Sequence, residues 1–211
     1  LVDDHRMMLD MWNSLLSIDN RFSVVGISTD GRLALEEIKE KLPNVVLMDI
    51  SMPGISGIEL TRTIKEKFPL TQVLAVSMHT NVLTIKQILS AGASGYMSKT
   101  SSFEEMVQAI IEVYNGKHYI ADDIKNLIAE QLHALAERAA RRGVRGGSEA
   151  LAWGTQTNRF AQAWEAVQRA DHPHLGLILD SFHTLVLKDD WAAIANLPGE
   201  RIFYVQLADA P

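Results

Sequence analysis

Residues 45–57 read VVLMDISMPGISG. Four apolar residues end in Asp49, Pro53-Gly54 supplies a turn, and a stretch with apolar residues at three- and four-residue spacing follows. A short, nearly all-apolar run leading into an amphipathic helix is how a strand of a parallel sheet reads when helices cover both of its faces. The same alternation extends in both directions. Further apolar runs are SVVGIS (23–28), QVLAVSM (72–78) and GYMSK (95–99), and helices are predicted near 6–17, 31–42, 56–68, 81–91 and 102–115. In the helix after the turn, Ile58, Leu60, Thr61 and Ile64 are placed on one inner face. Pro43-Asn44 and Asn115-Gly116 mark turns elsewhere. Over residues 1–127 the pattern is therefore α/β, a doubly wound parallel sheet.

In such a sheet, ligands bind beyond the carboxyl ends of the strands. Asp3 and Asp4 follow the stub of a first strand, Asp49 ends VVLMD, Ser77 ends QVLAVS and Lys99 ends GYMSK. Two carboxylates about 4 Å apart repel by roughly 4 kcal/mol at an effective dielectric of about 20, so this acidic trio calls for a cation. Oxygen-only ligands favour Mg²⁺. A carboxylate nucleophile beside a hard cation, a hydroxyl and an ammonium suits phosphoryl transfer: Asp49 attacks, and Ser77 and Lys99 meet the phosphoryl oxygens. His5 and His79 read as rim residues, and Met7, Met8 and Met11 as helix core and edge.

The 211 residues carry a formal net charge of −6, so the overall field does not favour nucleic acid. With no cysteine there is neither a disulfide framework nor a thiolate metal site, and a cytoplasmic location is expected. No apolar run approaches membrane-spanning length. The chain opens at Leu1 inside a strand pattern and reads as trimmed there.

VDDH, LMDISMPGISG, VSMHT and GASGYMSK, in this order and spacing, resemble the response-regulator receiver domain through residue 127. That resemblance implies a flavodoxin-like, five-stranded doubly wound sheet that signals through its last two helices and strand. It implies Asp49 as the phosphoacceptor, Asp4 as a direct Mg²⁺ ligand, Asp3 as a ligand through water, and Ser51 as a ligand through its backbone carbonyl. Ser77 and Lys99 become the phosphate-sensing pair, and Tyr96 the ring that moves as Ser77 engages phosphate. Partners considered are a histidine kinase or other phosphodonor and a second receiver copy; neither nucleic acid nor membrane is expected. VYNGKHYIADDI resembles the lead-in of DNA-binding regulators, yet no helix-turn-helix pattern follows it.

Instead, IAEQLHALAERAARRG reads as one helix with Ile128, Leu132, Leu135 and Ala139 on a face and Gly143 at its end. Arg138, Arg141, Arg142 and Arg145 read as solvated charge. The alternation then resumes: VRGGSEAL (144–151), a helix over 158–170, LGLILD (175–180), a helix over 189–196 and RIFYVQ (201–206). Three strands end in the oxygen-bearing Glu149, Asp180 and Gln206. The two glycines of RGGSEAL are expected to weaken strand pairing, and His172 and His174 read as surface residues.

SEALAWG, LGLILDSFHTL and IFYVQLADAP resemble the sugar-phosphate isomerase/epimerase-like TIM barrels, and within them the 3-dehydroshikimate dehydratases, from about residue 131 to the end. By that resemblance Glu149, Asp180 and Gln206 are ligands of a divalent metal (Mn²⁺, Mg²⁺ or Co²⁺), and His183 lies beside the substrate. The expected architecture is a receiver over 1–127 and a three-stranded βαβαβ portion of a TIM barrel over 128–211. Three readings stay open: a phosphorylation-controlled signalling module, a metal-dependent lyase or isomerase joined to a receiver, and an artificial or recombinant junction whose tail has no function. Because both parts are βα repeats, the later strands are also weighed as additions to the edge of the receiver sheet, making one hybrid domain.

Overall fold

Apolar runs and capped amphipathic stretches become alternating strands and helices in the computed structural model, which describes residues 1–78, 81–152 and 157–208. The first of two units, Leu1–Ile124, contains α1 (Arg6–Ile18), α2 (Gly31–Lys41), β1 (Val45–Met48), α3 (Gly57–Lys67), β2 (Gln72–Ser77), α4 (Val82–Ser90), β3 (Gly95–Ser98), α5 (Phe103–Tyr114) and β4 (Tyr119–Ile120). The strands form one parallel sheet in the order β1-β2-β3-β4. Val2 extends it, bridging Met48 on one side and Ser28 on the other. This is the flavodoxin-like, doubly wound arrangement.

The strand predicted over 23–28 is reduced to the single bridge at Ser28, and the first strand to Val2. Among the described residues, most of the 23–28 segment has no ladder partner. A cavity of about 690 Å³ lies there, lined by Val24, Val25 and Val45 among others.

Because helices cover both faces, the strand interiors are apolar throughout: Val46, Leu47, Met48, Val73, Leu74, Ala75, Val76 and Met97 are all buried. The covering helices are held at their starts. Ser56 accepts the Glu59 N–H ahead of α3, and Ser102 and Glu105 form a reciprocal capping box at α5. In α3 the buried face is Leu60, Thr61 and Ile64, with Ile58 half-buried. In α1 it is Leu9, Trp12 and Leu16, while Met7 and Met11 are exposed, so those methionines lie outside the core rather than in it.

The second unit, Lys125–Pro211, takes in most of α6 (Asp122–Ala140), then β5 (Gly146–Glu149), α7 (Phe160–Ala170), β6 (Leu175–Asp180), α8 (Ser181–Val186), α9 (Trp191–Ala195) and β7 (Ile202–Gln206). Its parallel sheet, β5-β6-β7, is separate from the first, so no hybrid sheet forms. The architecture is a three-stranded segment of the TIM-barrel type.

Two expectations are corrected here. The inward stripe of α6 in this unit is the buried Ala129 and Ala136 with the half-buried Leu132, not a face that includes Leu135, which is 51% exposed. Alanines let α6 sit close to the cluster of Val167, Leu175 and Leu177, where leucines would hold it away. In β5, Gly147 also serves packing. A Cβ on Gly147 would lie 2.5 Å from Ile178 Cγ1, so its bare backbone makes room for that side chain across the strand pair. Gly143, at φ +68°, ends α6 as expected. Among the described residues no helix is long and apolar enough to cross a membrane.

Candidate functional site

In the first unit, backbone pairing gathers the strand ends. Asp49 N–H donates to Val2 O at 2.8 Å, and Lys99 N–H donates to Ser77 O at 3.0 Å. The first turn of α3 presses on the same point: a Cβ on Gly57 would fall 2.0 Å from the Asp49 carbonyl oxygen, so only glycine fits. Asp3 and Asp49 are thereby buried, at 0% and 2% exposure. Lys99 Nζ lies 2.6 Å from Asp3 Oδ2 and 3.1 Å from Asp49 Oδ2, one ammonium serving two acids. His5 Nδ1 stands 2.8 Å from Asp4 Oδ1 and 3.3 Å from Asp3 Oδ1, with its ring largely in solvent, at the rim. Burial pushes the Asp49 carboxyl above the usual range. The Lys99 ammonium opposes this, the Asp3 charge adds to it, and the Ser51 N–H, bonded to the carboxylate, pulls it down.

Asp3, Asp4, His5 and Asp49 can offer ligand atoms within 4.8 Å of one another. Asp3 Oδ2 and Asp4 Oδ1 are buried, and their neighbours are the Lys99 ammonium at 2.6 Å and the His5 ring at 2.8 Å. Oxygens in that condition fit a small hard cation. Tyr96, on β3, is fully buried, and its hydroxyl is hydrogen-bonded with Ser77. Its hydroxyl pKa is raised by burial, against the Ser77 bond. Of the residues singled out in the sequence, His79 lies outside the described residues, as does Thr80 of VSMHT.

The second unit also gathers polar groups at strand ends. Glu149 ends β5 and Asp180 ends β6, and the first turn of α8 adds His183. The three offer ligand atoms within 4.8 Å of one another. His183 Nε2 lies 3.9 Å from Glu149 Oε1 and 3.8 Å from Asp180 Oδ2. Its ring is oriented by the Ala152 N–H, which donates to Nδ1 at 3.1 Å. Asp180 Oδ1 caps α8 by accepting the Phe182 N–H at 2.8 Å, leaving Oδ2 turned to the cluster. Gln206 stands opposite Asp180 in the β6–β7 register and is exposed. Two carboxylates, an imidazole and an adjacent amide form a donor set suited to a divalent ion. His183, read as a substrate neighbour, sits within the carboxylate cluster itself. Trp153 and Gly154 of SEALAWG, and residues 209–211, lie outside the described residues.

Away from both edges, His172 is 6% exposed, which corrects its reading as a surface residue. Its partners, His133 and Glu137, come from α6. The helical spacing of that pair was visible in the sequence; the approach of His172 was not.

The response regulator receiver domain family matches residues 1–111, and the xylose isomerase-like TIM barrel family matches residues 100–211. The chain belongs to both families, a receiver followed by a segment of the barrel type. The shared residues 100–111 fall largely on α5, inside the first unit. A 3-dehydroshikimate dehydratase of Pseudomonas aeruginosa is 65% identical over 85 residues, 40% of this chain and 13% of that protein. Response regulator GacA of Pseudomonas viridiflava is 38% identical over 129 residues, 61% of this chain and 60% of that one. The crystal structure of a LuxR-family two-component response regulator from an Aurantimonas species is 35% identical, with a TM-score of 0.57, covering 62% of this chain and 93% of its own. The chain thus spans about an eighth of the dehydratase and under two thirds of the regulator.

Proposed function

We propose that residues 1–127 act as a phosphoacceptor receiver, with Asp49 as the residue modified by a histidine kinase or a small phosphodonor. The observation that carries the reading is the buried Asp49 carboxylate, held beside Asp3 by one shared ammonium. An Asp49 oxygen attacks the donor's phosphorus; the new O–P bond forms as the bond to the leaving group breaks and the leaving group takes that electron pair. Lys99 turns its ammonium from the bare carboxylate to the transferred oxygens. Ser77 exchanges its bond with Tyr96 for one to the phosphoryl group, and the freed Tyr96 ring carries the change outward. Asp3, Asp4, Asp49 and the Ser51 carbonyl would hold Mg²⁺, which supplies positive charge against the phosphoryl oxygens.

Incubation with acetyl phosphate and Mg²⁺, followed by intact-mass measurement, tests this. One phosphoryl group is expected on the parent chain and none on Asp49→Ala. Equal labelling of the variant would remove Asp49 from the role.

A second reading rests on the Glu149–Asp180–His183 cluster. Residues 128–211 carry part of the metal-binding face of a barrel lyase or isomerase of the dehydroshikimate dehydratase kind, with Gln206 as a further ligand. The metal would polarise a carbonyl or enolate oxygen of the substrate. Divalent-metal binding at this cluster is the activity proposed for these residues.

A further inference from the structure

We propose that His133, Glu137 and His172 form a transition-metal site of the Zn²⁺ class, independent of both strand-end clusters. α6 presents His133 and Glu137 four residues apart, hence on neighbouring turns of one face. His172 comes from the turn between α7 and β6 and stacks edge-on to His133, ring centroids 5.0 Å apart. His172 Nε2 is 3.3 Å from Glu137 Oε1, and the three residues can offer ligand atoms within 4.8 Å of one another. The site lies at the amino end of β6, whereas Asp180 ends that strand.

Both imidazoles are already oriented through their other nitrogen. His133 Nδ1 donates to the Ala170 carbonyl at 2.7 Å, which leaves Nε2 as a bare lone pair. His172 Nδ1 accepts the His174 N–H at 3.1 Å, which directs Nε2 toward Glu137. Ligating histidines commonly show this support, with the far nitrogen fixed by the backbone and the near one free. At present the His172 Nε2 proton fills the place between ring and carboxylate. A metal would displace that proton and take the same two partners together with His133. Two imidazole nitrogens and one carboxylate oxygen favour Zn²⁺, Co²⁺, Ni²⁺ or Cu²⁺ over Mg²⁺. Such an ion would pin α6 to the start of β6.

The test is a calorimetric ZnCl₂ titration of the full chain in excess Mg²⁺, on an Asp180→Asn background that disables the other histidine-bearing cluster. One Zn²⁺ per chain is expected, with affinity lowered about tenfold or more by His133→Gln and by Glu137→Gln. Neither substitution removes the buried His172, and melting in EDTA reports whether each variant is folded. Unchanged Zn²⁺ affinity in both variants would overturn the proposal. Side-chain nitrogen NMR of the histidines gives a second readout on the unaltered parent. Zn²⁺ should move His133 and His172 Nε2, and shifts confined to His5 or His183 would equally overturn it.

Discussion

At the edge where Val2, β1 and β3 end, Asp3 and Asp49 share the ammonium of Lys99, whereas at the ends of β5 and β6, Glu149 and Asp180 share the imidazole of His183. The first edge carries its own permanent cation and is almost wholly buried. The second has an imidazole rather than an ammonium between its acids, and Glu149 is partly open to water. An internal counterion lets the receiver edge hold its shape before any cation or phosphoryl group arrives. Without one, the barrel-type edge depends on solvent screening or on a bound metal to bring its acids together.

Removing the internal counterion should have the largest effect. Lys99→Met leaves two buried acids without a cation, and we expect about 3–5 kcal/mol of lost stability in Mg²⁺-free buffer, read by urea unfolding. Saturating Mg²⁺ should restore part of it. A loss below about 1 kcal/mol would place the Lys99 pairs with ordinary surface ion pairs and erase the contrast between the edges.

A smaller, opposite effect is expected from Asp49→Asn. Because the folded protein holds the Asp49 carboxyl above its unfolded value, the native state binds more protons there, and stability falls as pH rises through that window. The amide removes the penalty. At neutral pH without Mg²⁺ the variant should melt a few degrees higher, on the order of the shift that about 1 kcal/mol produces. The gain should vanish below the ordinary aspartate range, about pH 3.9. A gain that persists at acid pH would assign it to packing instead.

The smallest change in stability belongs to the other edge. Glu149→Gln should alter unfolding by less than about 1 kcal/mol in the absence of metal, because its charge is partly solvated. Mn²⁺ titration of the same variant should nevertheless lose the signal of that cluster. A large destabilisation without metal would show that Glu149 and His183 already form a structural pair, as Asp49 and Lys99 do.

Much of the fold was legible because its signals are local. The VVLMD, QVLAVS, GYMSK and LGLILD runs are strand-like in themselves, and four observed strands lie within them. The run over 23–28 is strand-like in the same way, yet among the described residues only Ser28 in it is bridged. The stripe on α6 was misplaced because leucine dominates a hydrophobic pattern, while close packing there selects Ala129 and Ala136. A glycine such as Gly147 reads as a weak strand position in sequence, whereas the room it leaves for Ile178 is set by the facing strand.

The residues Asp3, Asp4, Asp49, Ser77 and Lys99 were marked by sequence because each follows an apolar run, and parallel strands bring such endings to one edge. The apolar-to-polar order along the chain determined that much, together with the division into two βα parts. Tertiary structure decided the pairings: Lys99 between two acids, Tyr96 with Ser77, His183 between Glu149 and Asp180, and His172 with a helix that ends more than thirty residues before it. Periodicity reports which face or end a residue occupies, but the distance between two side chains is set by strand register and helix packing, which no local stretch contains.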